Sequence, residues 1–151
     1  MGGTAVGYFA TLADLKAIEA EKPWGERGVA QSMYDFLSRA RVAHGTRPAI
    51  SYQILSGPKD KSVTLTWNGL HAAVTQAANL FRSLGVGEKD VVAYVLPNSL
   101  ETAITLLGGS VAGIVNPINP LLEAEQISAI LRETKAKVVV TLKPFPKTDV
   151  A

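Results

Sequence analysis

The sequence predicts an α/β fold, namely a layered sheet with parallel β-α-β crossovers and helices on both faces, plus a β-hairpin. The first observation is an apolar run, a helix-like segment and a second apolar run between Val91 and Ile118, which is the pattern of a parallel crossover. The second observation is that neither apolar run alternates polar and apolar residues, as is typical of strands covered on both faces. The third observation is two alternating segments, residues 50–54 and 63–67, which flank a group of turn-forming residues and predict the hairpin.

Length and composition indicate one globular domain without a nucleic-acid partner. The chain has 151 residues, 47% of them hydrophobic, and a formal net charge of +2. Such a balanced charge argues against nucleic acid or an anionic membrane as the main partner. The basic residues in the middle of the chain are separated, and we expect a solvated face at Arg39, Arg41, Arg47, Lys59 and Lys61.

The absence of cysteine excludes disulfides, thiolate metal sites and thiol nucleophiles. This composition fits a cytoplasmic protein. The first residues lack the basic and apolar regions of a secretory signal. The longest apolar stretch, residues 102–115, is shorter than the roughly 20 residues that a membrane-spanning helix needs. We therefore expect no transmembrane segment.

Residues 1–31 are predicted to form an N-terminal arm with one helix, from Phe9 to Lys22. Thr11 and Asp14 have the spacing of a helix cap, and Pro23 stops the helix. The next residues, from Trp24 onward, carry few large apolar side chains and are expected to be exposed.

Residues 32–142 are predicted to form the α/β subdomain, which begins with a helix capped by Ser32. The apolar face of this helix comprises Met33, Phe36, Leu37 and Ala40. We predict a loop from Arg41 to Pro48, followed by the hairpin.

The next helix is predicted from an N-cap at Thr66 to Leu84. Its buried stripe consists of Leu70, Val74, Ala77, Phe81 and Leu84. Gly85 fits the left-handed position after a helix, and Val86 supplies the apolar residue that accompanies such an ending.

The central crossover is predicted as a strand at Val91–Leu96, a helix at Ser99–Ala112 and a strand at Ile114–Ile118. Asn98 is the expected cap of the helix, with Glu101 near its positive end. The expected apolar side of this helix comprises Leu100, Ala103, Ile104, Leu107 and Val111. Gly108 and Gly109 weaken a helix. Their presence here is explained if a neighbouring backbone packs closely against this helix.

A second crossover follows, with a helix at Leu122–Thr134 and a third strand at Ala136–Leu142. Ile127, Ile130 and Leu131 are expected to face inward. Residues 143–151 are interpreted as a truncated tail.

No residue of the chain is predicted to be catalytic, cofactor-binding or metal-binding. Phosphate-loop and nucleophile-elbow motifs are absent. The segment Ser56–Lys59 is predicted to be a turn, and Gly85-Val86-Gly87 precedes a strand and lacks the third glycine of a dinucleotide loop. His44 is expected to be solvated, and His71 to be exposed on its helix. Clustered metal ligands are absent from the sequence.

The order of several short motifs resembles the opening of the acyl-CoA synthetases, which belong to the AMP-binding, adenylate-forming superfamily. The resemblance covers about Ser32 to Leu142. The motifs are Thr66–Leu70, Ala77–Leu80, Leu84–Val86, Asp90–Ala93, Leu96–Ser99, Glu101, Gly109, Ala112-Gly113, Asn116–Pro120 and Ala136–Thr141.

The resemblance implies that the parent enzyme joins a carboxylate, such as a fatty acid, to ATP and passes the acyl group to coenzyme A. ATP, Mg²⁺ and coenzyme A are therefore implied for the full-length enzyme. The family's phosphate loop, adenine-binding residues and C-terminal lysine come later in the chain and are absent here, so no family residue is carried over. The expected partner is the rest of the parent chain, and we expect the fragment to be inactive and to self-associate through exposed apolar surface.

The alternative is a complete, non-catalytic α/β binding or interaction module. The reading frame of the source gene discriminates the two, because a frame continuing into a Gly/Ser/Thr-rich loop supports the fragment.

Overall fold

The computed structural model describes residues 10–55 and 57–142. The chain divides into two compact units, Met1–Gln31 and Ser32–Ala151. Phe9, Ser56 and the tail at residues 143–151 lie outside the described residues. In the described part, no helix has both the length and the apolarity needed to cross a membrane.

The first unit contains helix α1 (Leu12–Glu21) and a short 3₁₀ helix (Trp24–Glu26). Thr11 caps α1 as predicted, because its side chain accepts a hydrogen bond from the Asp14 N–H while the Asp14 carboxylate accepts one from the Thr11 N–H. Arg27 then closes the end of the helix, donating hydrogen bonds to the carbonyls of Ile18 and Lys22. None of the residues of α1 is buried.

The second unit begins with helix α2 (Met33–His44) and the predicted hairpin. Strands β1 (Pro48–Gln53) and β2 (Ser62–Thr66) pair antiparallel. Helix α3 (Trp67–Ser83) follows immediately, and Thr66 caps it by accepting a hydrogen bond from the Gly69 N–H at 3.2 Å. Trp67, expected to end the second strand, is instead the first residue of this helix.

The remaining elements form two crossovers around a three-stranded parallel sheet. They are β3 (Val91–Val95), α4 (Leu100–Ala112), β4 (Ile114–Ile118), α5 (Ala124–Glu133) and β5 (Val138–Thr141). The strand order is β4-β3-β5, so the two crossovers run to opposite sides of β3. Because such crossovers are right-handed, α4 and α5 lie on opposite faces of the sheet. Val92 and Ala93 point to opposite faces and are both 0% exposed, which confirms a strand covered on both sides.

Two apolar clusters form the core of this unit. One joins α3, α4 and the sheet, with Phe81, Val86 and Val92 at its centre. The other joins α2 to α3 around Leu37, Leu70 and Val74, and the hairpin packs against it. Helix α3 therefore belongs to both clusters.

Gly108 and Gly109 allow α4 to approach its neighbours closely, as the sequence predicted. A Cβ at Gly108 would lie 2.7 Å from the Cβ of Ala77 and 3.4 Å from backbone atoms of α3. A Cβ at Gly109 would lie 3.0 Å from Val115 on β4. Both glycines are buried, together with Thr105 and Ala112. The deepest side of α4 is therefore its stripe of small residues, and the larger apolar side chains predicted to be buried flank it.

Several sequence predictions at element ends and faces are wrong. Helix α2 continues through the predicted loop to His44. Ser99, not Asn98, caps α4, because its Oγ accepts a hydrogen bond from the Thr102 N–H at 3.1 Å. Phe36 and Leu84 were predicted to be buried, but they are 53% and 54% exposed. Only a narrow stripe of each helix packs against its neighbours, and these two residues lie outside it.

Helices α3 and α5 end in the same left-handed motif. After α3, Gly85 has φ +84°, its N–H donates to the Arg82 carbonyl, and the Val86 N–H donates to the Phe81 carbonyl. After α5, Lys135 takes the corresponding position with φ 51°, and the Ala136 N–H donates to the Leu131 carbonyl. The predicted glycine ending of α3 is confirmed, whereas α5 places a lysine in the region that favours glycine.

An ion pair joins the amino ends of β3 and β5. Lys137 Nζ lies 2.9 Å from Asp90 Oδ2 and also donates to the Gly85 carbonyl. The same Asp90 oxygen accepts the Gly87 N–H at 2.7 Å. The hydrogen bond from Lys137, followed by that from Gly87, lowers the pKa of Asp90.

Replacing Gly108 with Ala is expected to lower the free energy of unfolding by about 1–3 kcal/mol. The new methyl group would overlap Ala77, and the energetic cost of that overlap exceeds the gain in helix propensity. Gly69→Ala is the matched control within α3. Its new Cβ meets nothing closer than 3.6 Å. This control should raise stability by up to about 1 kcal/mol. Urea unfolding of both variants measures the difference, and equal shifts would show that the approach of α4 to α3 is not tight.

Lys135→Gly is expected to stabilise the protein by about 1 kcal/mol relative to Lys135→Ala, because glycine adopts positive φ without the steric cost of a Cβ. Gly85→Ala should shift stability in the opposite direction by a similar amount, since α3 ends in the same motif. Thermal and urea unfolding provide the readout. A Lys135→Gly variant no more stable than Lys135→Ala contradicts the strain at this position.

Asp90→Asn is expected to remove part of the acid dependence of stability. The lowered pKa means that the ionised carboxylate stabilises the fold above the ordinary value of 3.8, and that this contribution is lost as the pH falls through the folded-state pKa. The variant should therefore be less stable than the parent chain at neutral pH, with the difference vanishing in acid. Unfolding curves across this range test it, with the exposed Glu88→Gln as control, and a difference that persists in acid contradicts the assignment.

Candidate functional site

The carboxyl ends of β3 and β4 form the topological switch point of the sheet. The chain leaves β3 toward α4 on one face and leaves β4 toward α5 on the other. In open parallel sheets, ligands bind in the crevice that such diverging connections create. The residues at this position are Leu96–Ser99 after β3 and Asn119–Leu121 after β4.

The polar groups at the switch point are engaged in local turns. Ser99 Oγ accepts from the Thr102 N–H, and Thr102 Oγ1 donates to the Pro97 carbonyl. Asn119 Oδ1 accepts from the Leu121 N–H at 3.0 Å. Asn98 and Leu121 are exposed, the latter by 87%. The amides and hydroxyls of this edge are therefore used within the chain itself, and one acid, Glu101, is exposed at the start of α4.

A second concave region lies between α2, α3 and α4. This cavity of about 400 Å³ is lined by Ser32, Met33, Tyr34, Thr75, Ala78, Asn79, Arg82, Ser110 and Val111. Two of its hydroxyls are already bonded to backbone carbonyls, since Thr75 donates to the His71 carbonyl and Ser110 donates to the Leu106 carbonyl. Arg82 donates to the Val111 carbonyl at 3.3 Å. These polar groups of the lining are therefore bonded to backbone carbonyls and do not point together at one position in the cavity.

The structure brings Ser38 and His71 together, which the sequence spacing did not reveal. Ser38 Oγ lies 3.1 Å from His71 Nε2, and the ring of His71 lies 5.2 Å from that of Tyr34. Burial, followed by the charge of Arg41, lowers the pKa of His71. His71 is half-buried, so the expectation that it is exposed was wrong. A neutral imidazole between two helices serves as a packing and hydrogen-bonding group, and a lowered pKa makes it a weaker base.

The glycine segments considered for phosphate binding do not fit an anion. In the predicted turn, the Gly57 N–H donates to Asp60 Oδ2 at 2.8 Å, so a carboxylate of the chain itself already occupies that donor. The Gly87 N–H is held by Asp90 in the same way. The turn after β1 is confirmed at Gly57–Asp60, whereas Ser56 lies outside the described residues.

The remaining residues considered from the sequence are exposed. His44 is exposed at the end of α2, as are the five basic residues expected to form a solvated face. One of them, Arg39, lies 2.7 Å from Asp35 in an ion pair along the same helix. Within residues 10–55 and 57–142, three or more His, Cys, Asp or Glu side chains nowhere cluster as metal ligands do. The glycine segments, whose N–H donors are held by carboxylates of the chain itself, do not fit the phosphates of ATP.

Comparison with known proteins finds similarity to one family of enzymes along most of the chain. A model of the AMP-binding enzyme family matches residues 37–151. A marinolic acid–CoA ligase of Pseudoalteromonas sp. is 35% identical over 135 residues, which make up 88% of this chain and 20% of that ligase. An acetyl-coenzyme A synthetase of Sodalis glossinidius is 32% identical over 119 residues, covering 78% of this chain and 18% of that protein.

Solved structures show the same fold. The N-terminal domain of FACL13 from Mycobacterium tuberculosis superimposes with a TM-score of 0.64 and 25% identity, covering 74% of this chain and 27% of that one. A Mycobacterium tuberculosis fatty acyl CoA synthetase gives 0.62 and 26% identity, covering 73% and 21%. The chain thus spans about a fifth of the length of the curated relatives it matches. The resemblance identified from the sequence motifs is confirmed, and the chain belongs to the AMP-binding enzyme family.

Proposed function

We propose that this chain is the N-terminal α/β part of an acyl-CoA synthetase. The full-length enzyme activates a carboxylic acid with ATP to an acyl-adenylate and pyrophosphate, then transfers the acyl group to the thiol of coenzyme A. The family match over residues 37–151 is the observation that carries this proposal. The names of the relatives support the reaction, since a marinolic acid–CoA ligase, an acetyl-coenzyme A synthetase and a long-chain-fatty-acid–CoA ligase each join an acid to coenzyme A.

We propose that the described residues act as scaffold and that the fragment alone is inactive. Adenylate formation needs donors and cations arranged around the phosphates of ATP. The donors at Gly57 and Gly87 are held by Asp60 and Asp90, and the polar groups at the switch point are committed to turns. In this proposal, the role of the described residues is to hold the carboxyl ends of β3 and β4 in place. The rest of the enzyme supplies the groups that bind ATP.

The proposal extends to substrate class, partners and location. A fatty acid is the proposed substrate class, supported by similarity to the long-chain-fatty-acid–CoA ligase, which is 34% identical over 79 residues. The rest of the parent chain is the proposed partner, and the cytoplasm, where ATP and coenzyme A are available, is the proposed location. In this view residues 1–31 form an arm and residues 32–142 the subdomain.

ATP–pyrophosphate exchange tests the proposal directly. The 151-residue chain, incubated with ATP, Mg²⁺, labelled pyrophosphate and acids from acetate to palmitate, is expected to show no exchange above background. The parent reading frame, assayed in parallel, should show exchange with at least one acid and form its CoA thioester. Exchange by the 151 residues alone overturns the assignment as scaffold. A parent protein that binds no nucleotide and forms no thioester favours the alternative, a non-catalytic binding module.

A further inference from the structure

The Asn68-Gly69 pair in the first turn of α3 is chemically reactive. An asparagine amide is open to attack by the backbone nitrogen of the next residue, and glycine hinders that attack least because it has no Cβ. Asn68 is the one asparagine in the sequence that glycine follows, whereas Asn116 and Asn119 precede prolines, which have no N–H. Asn68 is also exposed, so water reaches its side chain.

Two hydrogen bonds hold the backbone of this pair in place. The Gly69 N–H, which carries the attacking nitrogen, donates to Thr66 Oγ1 at 3.2 Å. The Asn68 N–H donates to the Gly45 carbonyl at 2.9 Å. Both N–H groups belong to the first turn of α3 and have no partner within the helix, so the cap and the preceding loop are what fix them.

The side chain of Asn68 is held by the same glycine. A Cβ at Gly45 would lie 2.9 Å from Asn68 Oδ1 and 3.0 Å from Asn68 Nδ2, so the amide lies directly against the Gly45 backbone. Gly45 has φ −33°, which is not the left-handed conformation that favours glycine, so its missing side chain serves this contact. In a helix the Cβ of Asn68 tilts toward the N-terminus, away from the Gly69 nitrogen that follows it. The amide carbon and the attacking nitrogen are therefore kept apart.

We propose that Asn68-Gly69 is a deamidation site that the first turn of α3 keeps closed. When this turn opens, the Gly69 nitrogen loses its proton to solvent and bonds to Asn68 Cγ, and the bond from Cγ to Nδ2 breaks and releases ammonia. Water then opens the resulting succinimide ring at either carbonyl, which gives aspartate or isoaspartate. Water is consumed and ammonia is released, and no group is oxidised or reduced.

The two products differ in their effect on the fold. Aspartate at position 68 carries a negative charge in the first turn of α3, where the positive end of the helix favours it. Isoaspartate adds a methylene group to the backbone between residues 68 and 69, which displaces the Gly69 N–H from the Thr66 hydroxyl. The next residue, Leu70, is 4% exposed and lies in the cluster that joins α2 to α3. Only the isoaspartate form is therefore expected to lose stability.

Mass spectrometry of peptides from the incubated chain tests whether the turn protects the site. At mildly alkaline pH, Asn68 in the folded chain is expected to deamidate at least about tenfold more slowly than in the chain unfolded in urea. The folded-state rate should nevertheless exceed the unfolded-state rate multiplied by the unfolded fraction, because local opening of one turn is enough. Equal rates in the two states, or a folded-state rate equal to that product, overturns the proposal.

Two substitutions release the pair from different sides. Gly45→Ala places a methyl group where the Asn68 amide lies, and Thr66→Val removes the hydroxyl that accepts from the Gly69 N–H. After correction for its unfolded fraction, each variant is expected to deamidate at least about threefold faster in the folded state. The controls are Thr66→Ser, which keeps the hydroxyl, and Gly25→Ala, whose Cβ would meet nothing within 4 Å. Rates unchanged in both Gly45→Ala and Thr66→Val overturn the proposal.

Separation of the two products tests their effect on the fold. The isoaspartate form, purified from the aged chain, is expected to unfold at a lower urea concentration than the unmodified chain. Asn68→Asp, made directly, should be at least as stable as the unmodified chain. Asn68→Gln, whose longer side chain closes the corresponding ring more slowly, is the blank for the modification. An isoaspartate form as stable as the unmodified chain overturns the role given to the first turn of α3.

Discussion

The close approach of α4 to both α3 and the sheet is the constraint on which the rest of the second unit depends. Gly108 sets the distance to α3, and Gly109 sets the distance to Val115 and Val92. Without side chains at these two positions, the helices and strands meet nearly backbone to backbone, and Val92 loses all contact with water. The contacts of α3 with α2 and with the hairpin both follow from where this approach places α3.

The two ends of the parallel strands differ in how tightly the chain is held. At the amino ends, Asp90 and Lys137 join β3 to β5, and a Cβ at Gly113 would lie 2.5 Å from the Asp90 carbonyl, so the chain turns tightly there. At the carboxyl ends, the connections diverge and leave exposed polar residues such as Asn98. This division is the one expected of parallel α/β sheets, in which the carboxyl edge is free to vary with function.

The chain spans about a fifth of the length of its relatives, and some of its polar and apolar groups are only partly covered. Helix α5 has no fully buried residue, although Ile127, Ile130 and Leu131 are half-buried as predicted. Asn116 Nδ2 is buried and has no hydrogen-bond partner among the described residues. An unpaired buried donor is costly, so its partner is expected from chain or solvent beyond the described residues.

The sequence by itself determined the order of elements, the two crossovers, the family and the close packing at Gly108, because periodicity, turn residues and glycines act over short ranges. It also predicted the caps at Thr11 and Thr66 and the ending of α3 at Gly85. Only the tertiary structure decided which faces are buried: Phe36 and Leu84 are exposed, since burial depends on where the neighbouring helices lie. For the same reason it alone revealed the pairing of Ser38 with His71 and of Asp90 with Lys137, whose members are far apart in the chain and meet only after the helices and strands have packed.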